Sequence, residues 1–481
     1  MDLRPILYVI GILLSTLALS MSLPMLVDIY YGSNDWKVFF LCIMTTAFFG
    51  GALVLSNSGG EMFSISIKQA FVLTTVSWLV LATFAALPLW FSELGLSFTD
   101  AFFEAMSGIT TTGSTILTHI EGAPRGILIW RAILQWLGGI GIIVMALSVL
   151  PFLKVGGMQL FRTESSENEK VLPRAAKLAS SIGYIYLLLT VICAACYHMT
   201  GLPLFDAVAH AMTTIATGGF STFDTSFGNF DTPHTEMVAI IFMLMGGLPF
   251  VLYLKALRGD WRALFKDSQV RWFLGIISAA TFVLVSYLVF ENNLHIGEAL
   301  RRASFNVISV ITGTGYASSD YGAWGGFAVG LLFFVMVIGG CAGSTSCGIK
   351  VFRFQVLYAV TNVQMKKLLH PNGVFIPYYG GKPLPEGVPS SVMSFFFLFA
   401  LCFSFLAIAL SYIGLDFLTA MSGAATSIAN VGPGLGSIIG PTGTFAPLPD
   451  SAKWLLCFGM LLGRLELFTV LVLLAPQFWR R

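Results

Sequence analysis

Apolar stretches long enough to cross a bilayer recur along the whole chain, and they decide most of what it can become. A membrane-spanning helix takes roughly 20 largely apolar residues. Qualifying runs begin near Ile6, Val38, Gln69, Ile127, Leu178, Met237, Trp272, Trp324, Val392 and Trp454. Only 10% of the 481 residues are charged, against roughly 25% in an ordinary soluble domain. A soluble fold of this size could not keep so much apolar surface out of water. The expectation is an all-α polytopic membrane protein with ten spans. Cytosolic enzymes, secreted disulfide scaffolds and disordered chains are excluded.

Charge gives orientation. Lys and Arg total 26 against 24 Asp and Glu, so no basic field for nucleic acid exists. Cations cluster after the fourth run (Lys154, Arg162, Lys170, Arg174, Lys177), the sixth (Lys255, Arg258, Arg262, Lys266, Arg271) and the eighth (Lys366, Lys367, Lys382), and at Arg480 and Arg481. With Arg4 and Lys68 these mark the cytoplasmic side, because cationic loops stay inside. The opposite loops carry Asp206, Asp224, Asp231 and Asp320. Both termini are then cytoplasmic. The first run continues from Pro5 to about Val27 without a convincing cleavage site, and reads as a first spanning helix, not a signal peptide. The seven cysteines lie in or beside apolar segments. Cys193 and Cys196, inside one such run, read as small core residues.

Four shorter apolar segments remain: Phe98–Ile109, Leu204–Ile215, Ile296–Ile311 and Asp416–Ile428. Each is too short to span and runs into Gly/Thr-rich sequence, the pattern of a helix that dips into the bilayer and turns back. All four place an isoleucine four residues before a glycine: Ile109/Gly113, Ile215/Gly219, Ile311/Gly315 and Ile428/Gly432. The glycines are 106, 96 and 117 residues apart. Each unit is helix, short helix, glycine loop, helix, which is an internal repeat. Residues 1–67 form two extra helices, and the units occupy 68–176, 177–270, 271–390 and 391–481.

One unit cannot enclose a pore, but four around an axis can. Potassium-channel filters use four TVGYG loops whose backbone carbonyls replace the ion's hydration shell. Here Gly313-Thr314-Gly315-Tyr316-Ala317 comes close to that motif. Thr111-Thr112-Gly113 and Thr217-Gly218-Gly219 are looser versions, and Asn430-Val431-Gly432 is the loosest. Oxygen ligands without a carboxylate ring suit a weakly hydrated monovalent cation. Two further features stand out. The eighth run is interrupted by Gly339, Gly340, Gly343, Ser344, Thr345, Ser346 and Gly348, and irregular backbone at membrane depth needs protein or water to satisfy it. Arg464 falls midway along the last run, where a charge must face water or a partner. A pair with Glu466 is disfavoured, since residues two apart face different sides of a helix. Glu104, Glu298, Arg301 and Arg302 on the short helices are candidates to support the loops.

In these residues the chain resembles the Trk/Ktr/HKT superfamily of potassium transporters, specifically its bacterial TrkH/TrkG membrane subunits. The resemblance covers essentially all of the chain. It is strengthened by Arg131-Ala132-Ile133-Leu134-Gln135-Trp136-Leu137-Gly138-Gly139-Ile140-Gly141 and by Gly157-Met158-Gln159-Leu160-Phe161-Arg162. It implies K⁺ uptake across the bacterial cytoplasmic membrane, with Gly113, Gly219, Gly315 and Gly432 as filter glycines and the glycine-rich interruption as a gating loop. It also implies a homodimer and a cytoplasmic nucleotide-binding partner of TrkA type. The chain shows no P-loop or convincing Rossmann fingerprint, so it is expected to hold no cofactor, with K⁺ as cargo. Na⁺ transport, or K⁺ symport with Na⁺ or H⁺, is the near alternative. A secondary transporter of an organic solute is the distant one; such folds show paired broken helices, and here only one strongly broken helix is expected. No H-E-x-x-H, G-x-S-x-G or paired catalytic aspartates point to an enzyme.

Overall fold

The computed structural model describes residues 1–58, 66–148, 157–158, 160, 171–230 and 232–480. Lys154, Arg162, Lys170, Arg481 and most of the 157–162 motif lie outside the described residues. The chain begins with α1 (Arg4–Ser20) and α2 (Ser22–Tyr31), together one span, and α3 (Trp36–Asn57). Small residues let α1 and α3 approach closely: a Cβ built on Gly11 would stand 2.8 Å from the Gly50 carbonyl oxygen.

The four units follow in order. The first holds α4 (Ile67–Phe91), α5 (Phe98–Ile109) and α6 (Arg125–Ser148). The second holds α7 (Val171–Met199), α8 (Leu204–Ile215), α9 (Pro233–Gly247) and α10 (Phe250–Leu257). After the connector α11 (Arg262–Lys266), the third has α12 (Ser268–Phe290), α13 (Ile296–Thr312), α14 (Gly326–Val337) and α15 (Val351–Leu369). The fourth has α16 (Val388–Tyr412), α17 (Phe417–Ala429), α18 (Asp450–Arg464), α19 (Phe468–Leu474) and α20 (Pro476–Trp479). One short β-hairpin pairs Tyr378–Tyr379 with Lys382–Pro383.

Local chemistry sets the helix starts. Ser66 and Gln69 form a capping box on α4, while Asp267 and Asp416 accept backbone N–H bonds at the starts of α12 and α17. The short helices start and end within one residue of the expected segments.

Packing closes a circle. The first helix of each unit lies along its own short helix. The second helix of each unit packs on the short helix of the next: α6 on α8, α9 on α13, α14 on α17 and α18 on α5. Because the last contact returns to the first unit, the four short helices surround one axis. The apolar window of α6 is 72% buried, against 22% for α3, so α6 belongs to the interior and α3 to the periphery.

Among the described residues, seven helices are long and apolar enough to span, and two bent pairs bring the number up to nine. The expectation of only one strongly broken helix among the ten runs therefore needs correction. The eighth is broken as expected, into α14 and α15 around residues 338–350. Two more are bent, α9 to α10 by 96° and α18 to α19 by 117°. The first bend falls at Leu248–Pro249, where proline cannot continue the hydrogen-bond ladder. The second follows Arg464, where Glu466 and Leu467 take left-handed φ of 61° and 52°.

Candidate functional site

The four short helices end in one backbone pattern. Two residues before each repeat glycine, Thr111, Thr217, Gly313 and Asn430 have φ of 52°, 49°, 74° and 51°. The next residue sends its N–H five residues back: Thr112 to Ser107, Gly218 to Thr213, Thr314 to Ser309 and Val431 to Thr426, at 2.8–3.1 Å. This Schellman ending satisfies the last carbonyls of the helix and turns the chain sharply. The glycines are again left-handed, with φ of 87°, 80°, 77° and 110° at Gly113, Gly219, Gly315 and Gly432. Only glycine takes such a conformation freely. For the β-branched Thr111 and Thr217 it costs on the order of 1–3 kcal/mol each, strain of the kind that concentrates at functional sites.

These glycines line one cavity. A Cβ added to Gly113 would fall on the carbonyl oxygen of Gly218, one on Gly219 on that of Thr314, and one on Gly315 on that of Val431. A Cβ on Gly432 would stand 2.8 Å from the carbonyl oxygen of Thr112. Each glycine thus abuts the carbonyl preceding the glycine of the next unit, and the fourth returns to the first. Thr111, Thr112, Gly113, Thr217, Gly218, Gly219, Gly313, Thr314, Gly315, Asn430, Val431 and Gly432 are therefore brought together. Two bonds seal the joint between units four and one: Ser114 Oγ donates to the Gly432 carbonyl (2.7 Å) and Asn430 Nδ2 to Thr112 Oγ1 (2.9 Å).

Behind the ring stands a buried polar scaffold. Arg131 of α6 pairs with Glu104 of α5 at 2.7 Å, with both side chains almost wholly buried. Arg131 also donates to the Ser221 carbonyl and lies 4.1 Å from the Phe220 ring centroid. One turn on, Gln135 donates to the Gly218 carbonyl (2.6 Å) and accepts from the Phe220 N–H (3.0 Å). His210 Nδ1 faces the Asp206 carbonyl (2.8 Å) and its Nε2 faces Ser221 Oγ (3.0 Å), so Nδ1 carries the proton and Ser221 donates to Nε2. Of the proposed supports, among the described residues only Glu104 reaches a glycine loop, accepting from Thr115 Oγ1 and the Ile116 N–H just beyond Gly113. Glu298 pairs with Arg302 on one face of α13, and Arg301 pairs with Glu236 of α9. Charge on a short helix does not reveal which end it serves. Gln135 and Arg131 were visible only as part of a motif, because the partners that give them a role lie about 90 residues away.

On the side away from the cavity, the break between α14 and α15 touches the start of the loops. An isolated parallel bridge between Ile338 and Ile349 draws its ends together. Thr345 Oγ1 bonds the Ile215 and Gly246 carbonyls at 3.0 and 2.9 Å and lies 3.2 Å from Thr217 Oγ1. The Cys347 N–H lies 3.6 Å from where a Cβ on Gly313 would stand. Ser346 Oγ accepts from Gly340 N, Ser344 Oγ donates to the Cys341 carbonyl, and Phe250 N–H bonds the Gly343 carbonyl. Gly339 and Gly348 sit back to back.

Arg464 reaches this loop. Its guanidinium donates to the Thr345 carbonyl (3.3 Å), to Cys347 Sγ and to the Gly138 carbonyl (2.8 Å). It is 1% exposed, and among the described residues no carboxylate pairs with it. Its place differs from expectation: it is the last residue of α18, at the bend, not the middle of a straight helix. Glu466 pairs instead with Arg353 of α15 at 2.5 Å. Hydropathy carries no signal for the bend.

A ring of four short helices around one axis, with a glycine loop from each, set among long apolar helices, defines a polytopic membrane protein. The chain belongs to the TrkH family of cation transport proteins, whose model matches residues 36–481. It is 49% identical over 481 residues to the Trk system potassium uptake protein TrkI of Halomonas elongata, covering 99% of this chain and 97% of that protein. To the Trk system potassium uptake protein TrkH of Salmonella typhimurium it is 38% identical over the full length of both. The crystal structure of the potassium transporter TrkH from Vibrio parahaemolyticus matches with a TM-score of 0.91 at 35% identity, covering 100% of both chains.

Proposed function

We propose that this protein takes up K⁺ through the axis of the four units, with the four glycine loops as its selectivity filter. The observation that carries this reading is the closed cycle in which each repeat glycine abuts the carbonyl before the next. The last turns of α5, α8, α13 and α17 lead into the ring, and a helix C-terminus carries about half a negative charge. Four such ends favour a cation, and carbonyl and hydroxyl oxygens favour one that sheds water easily. The relatives are named as potassium uptake proteins.

The break at residues 338–350, with Gly339, Gly340, Gly343, Ser344, Thr345, Ser346 and Gly348, acts in this reading as the gate, and Arg464 holds it shut. An unpaired guanidinium where little water screens it repels K⁺, while its bond to the Thr345 carbonyl fixes the loop under the ring. The unit boundaries at residues 68, 177, 271 and 391, cytoplasmic termini in a bacterial inner membrane, a homodimer and a TrkA-type nucleotide-binding partner complete the proposal. Uptake of ⁸⁶Rb⁺ into liposomes holding the purified protein, with Na⁺ as competitor, tests it. Rb⁺ uptake blocked by K⁺ but not by Na⁺ is expected; equal competition by Na⁺ would reject the filter.

A further inference from the structure

The ring is not fourfold in its hydrogen bonding. Among the described residues, the carbonyls of Thr112, Thr314 and Val431 accept no hydrogen bond, whereas that of Gly218 accepts one from Gln135 Nε2 at 2.6 Å. The amide orientation is fixed from both ends. Gln135 Oε1 receives the Phe220 N–H at 3.0 Å, and a flipped amide would set oxygen against oxygen and N–H against N–H. Gly218 is also where unit two departs from the Thr, Thr and Val of the other units. A Cβ there would meet Gln135 Oε1 at 2.5 Å and Nε2 at 2.8 Å. A side chain at position 218 would therefore have to displace the Gln135 amide.

Resting on the filter reading above, we infer that Gln135 sets the strength of the K⁺ site by occupying one lone pair of the Gly218 carbonyl, so that the ring offers three free carbonyls and one engaged. A carbonyl oxygen has two lone pairs, and an amide donor on one draws electron density from an ion on the other. The chemistry served is weak, reversible binding of a monovalent cation, which must be tight enough to admit the ion and loose enough to release it. Gln135 touches no ion. It acts through the carbonyl, as a positioning residue.

The test is Gln135→Glu in full-length protein in liposomes, with the KM for ⁸⁶Rb⁺ uptake measured from about pH 5 to about pH 9, the range in which a buried glutamate titrates. A neutral carboxyl keeps both bonds, since its O–H donates to Gly218 and its C=O accepts from Phe220. A carboxylate releases the Gly218 carbonyl. The KM should match the parent's at low pH and fall about fivefold at high pH, the equivalent of one neutral hydrogen bond at about 1 kcal/mol. Among the described residues the ionisable groups nearby are Arg131, its partner Glu104, His210 behind Ser221, Arg464 on the Gly138 carbonyl, and Tyr186, whose hydroxyl donates to the Trp136 carbonyl. All are present in the parent, whose own pH profile is the reference. Gln135→Met, which carries no charge, should show the lower KM at every pH, separating release of the carbonyl from attraction by a carboxylate. A Gln135→Glu profile parallel to the parent's, or an unchanged KM in Gln135→Met, overturns the inference. Gly113→Ser in the same liposomes keeps the two readings apart. If it loses K⁺ over Na⁺ selection while Gln135→Glu stays flat, only the Gln135 assignment falls; if it keeps selection, the filter reading falls and takes this inference with it.

Discussion

The guanidinium of Arg464 bonds at once to the Thr345 carbonyl on the break loop and, at 2.8 Å, to the Gly138 carbonyl on α6. It joins three units, because Thr345 belongs to the third, Gly138 to the first and Arg464 itself to the fourth.

Arg464→Ala should therefore raise K⁺ flux in the absence of any regulatory partner while K⁺ over Na⁺ selection is kept. Deletion of Ala342–Ser346 should do the same. Flux is counted per correctly folded protein in liposomes. If both variants leave it lower or unchanged, Arg464 is a structural tie and not part of a gate.

Gly315→Ser meets a different obstacle. Its Cβ would fall on the Val431 carbonyl, and φ of 77° is strained for any L side chain. Flux should drop at least tenfold, or K⁺ and Na⁺ should permeate alike. Unaltered permeability ratios in a well-folded Gly315→Ser protein would mean that the ion passes elsewhere.

Removing Arg131 leaves the buried Glu104 carboxylate without its partner. Breaking one side of such a pair costs roughly 3–5 kcal/mol. Arg131→Met should lower the melting temperature in detergent, and adding Glu104→Gln should restore part of the loss. Additive damage from the two substitutions would show that the pair's charges do not depend on each other.

Orientation can be read by labelling. Cysteines placed at Asn229, in the loop between α8 and α9, and at Asn372, after α15, should react with an impermeant maleimide from opposite sides, Asn229 from outside. The seven native cysteines are all free, and all lie within helices or the break loop; they are replaced first. Labelling of Asn372 from outside would invert the topology.

Much of this architecture is legible in the chain itself. The short helices declare themselves by length, and the Ile-to-Gly spacing puts the loops in register, because both are local patterns. What is not legible depends on contacts between units. Thr111 and Thr217 give no sign of left-handed backbone, since the helix ending imposes it, whereas Asn430 is of a type that tolerates it. The bend after Arg464 is invisible to hydropathy because apolar residues continue through it. Gln135 reads as one polar residue in an apolar helix until the Gly218 carbonyl is found against it.

The ring that closes from Gly432 back to Thr112 is made by a single chain, and that changes how it can evolve. In a homotetrameric channel every substitution is made four times over, so a small adjustment becomes a large one. Here each loop can be altered alone, a quarter of the ring at a time, and a contact such as Gln135 on Gly218 can exist in one position only. Graded tuning of this kind requires that the four loops share a backbone but not a sequence.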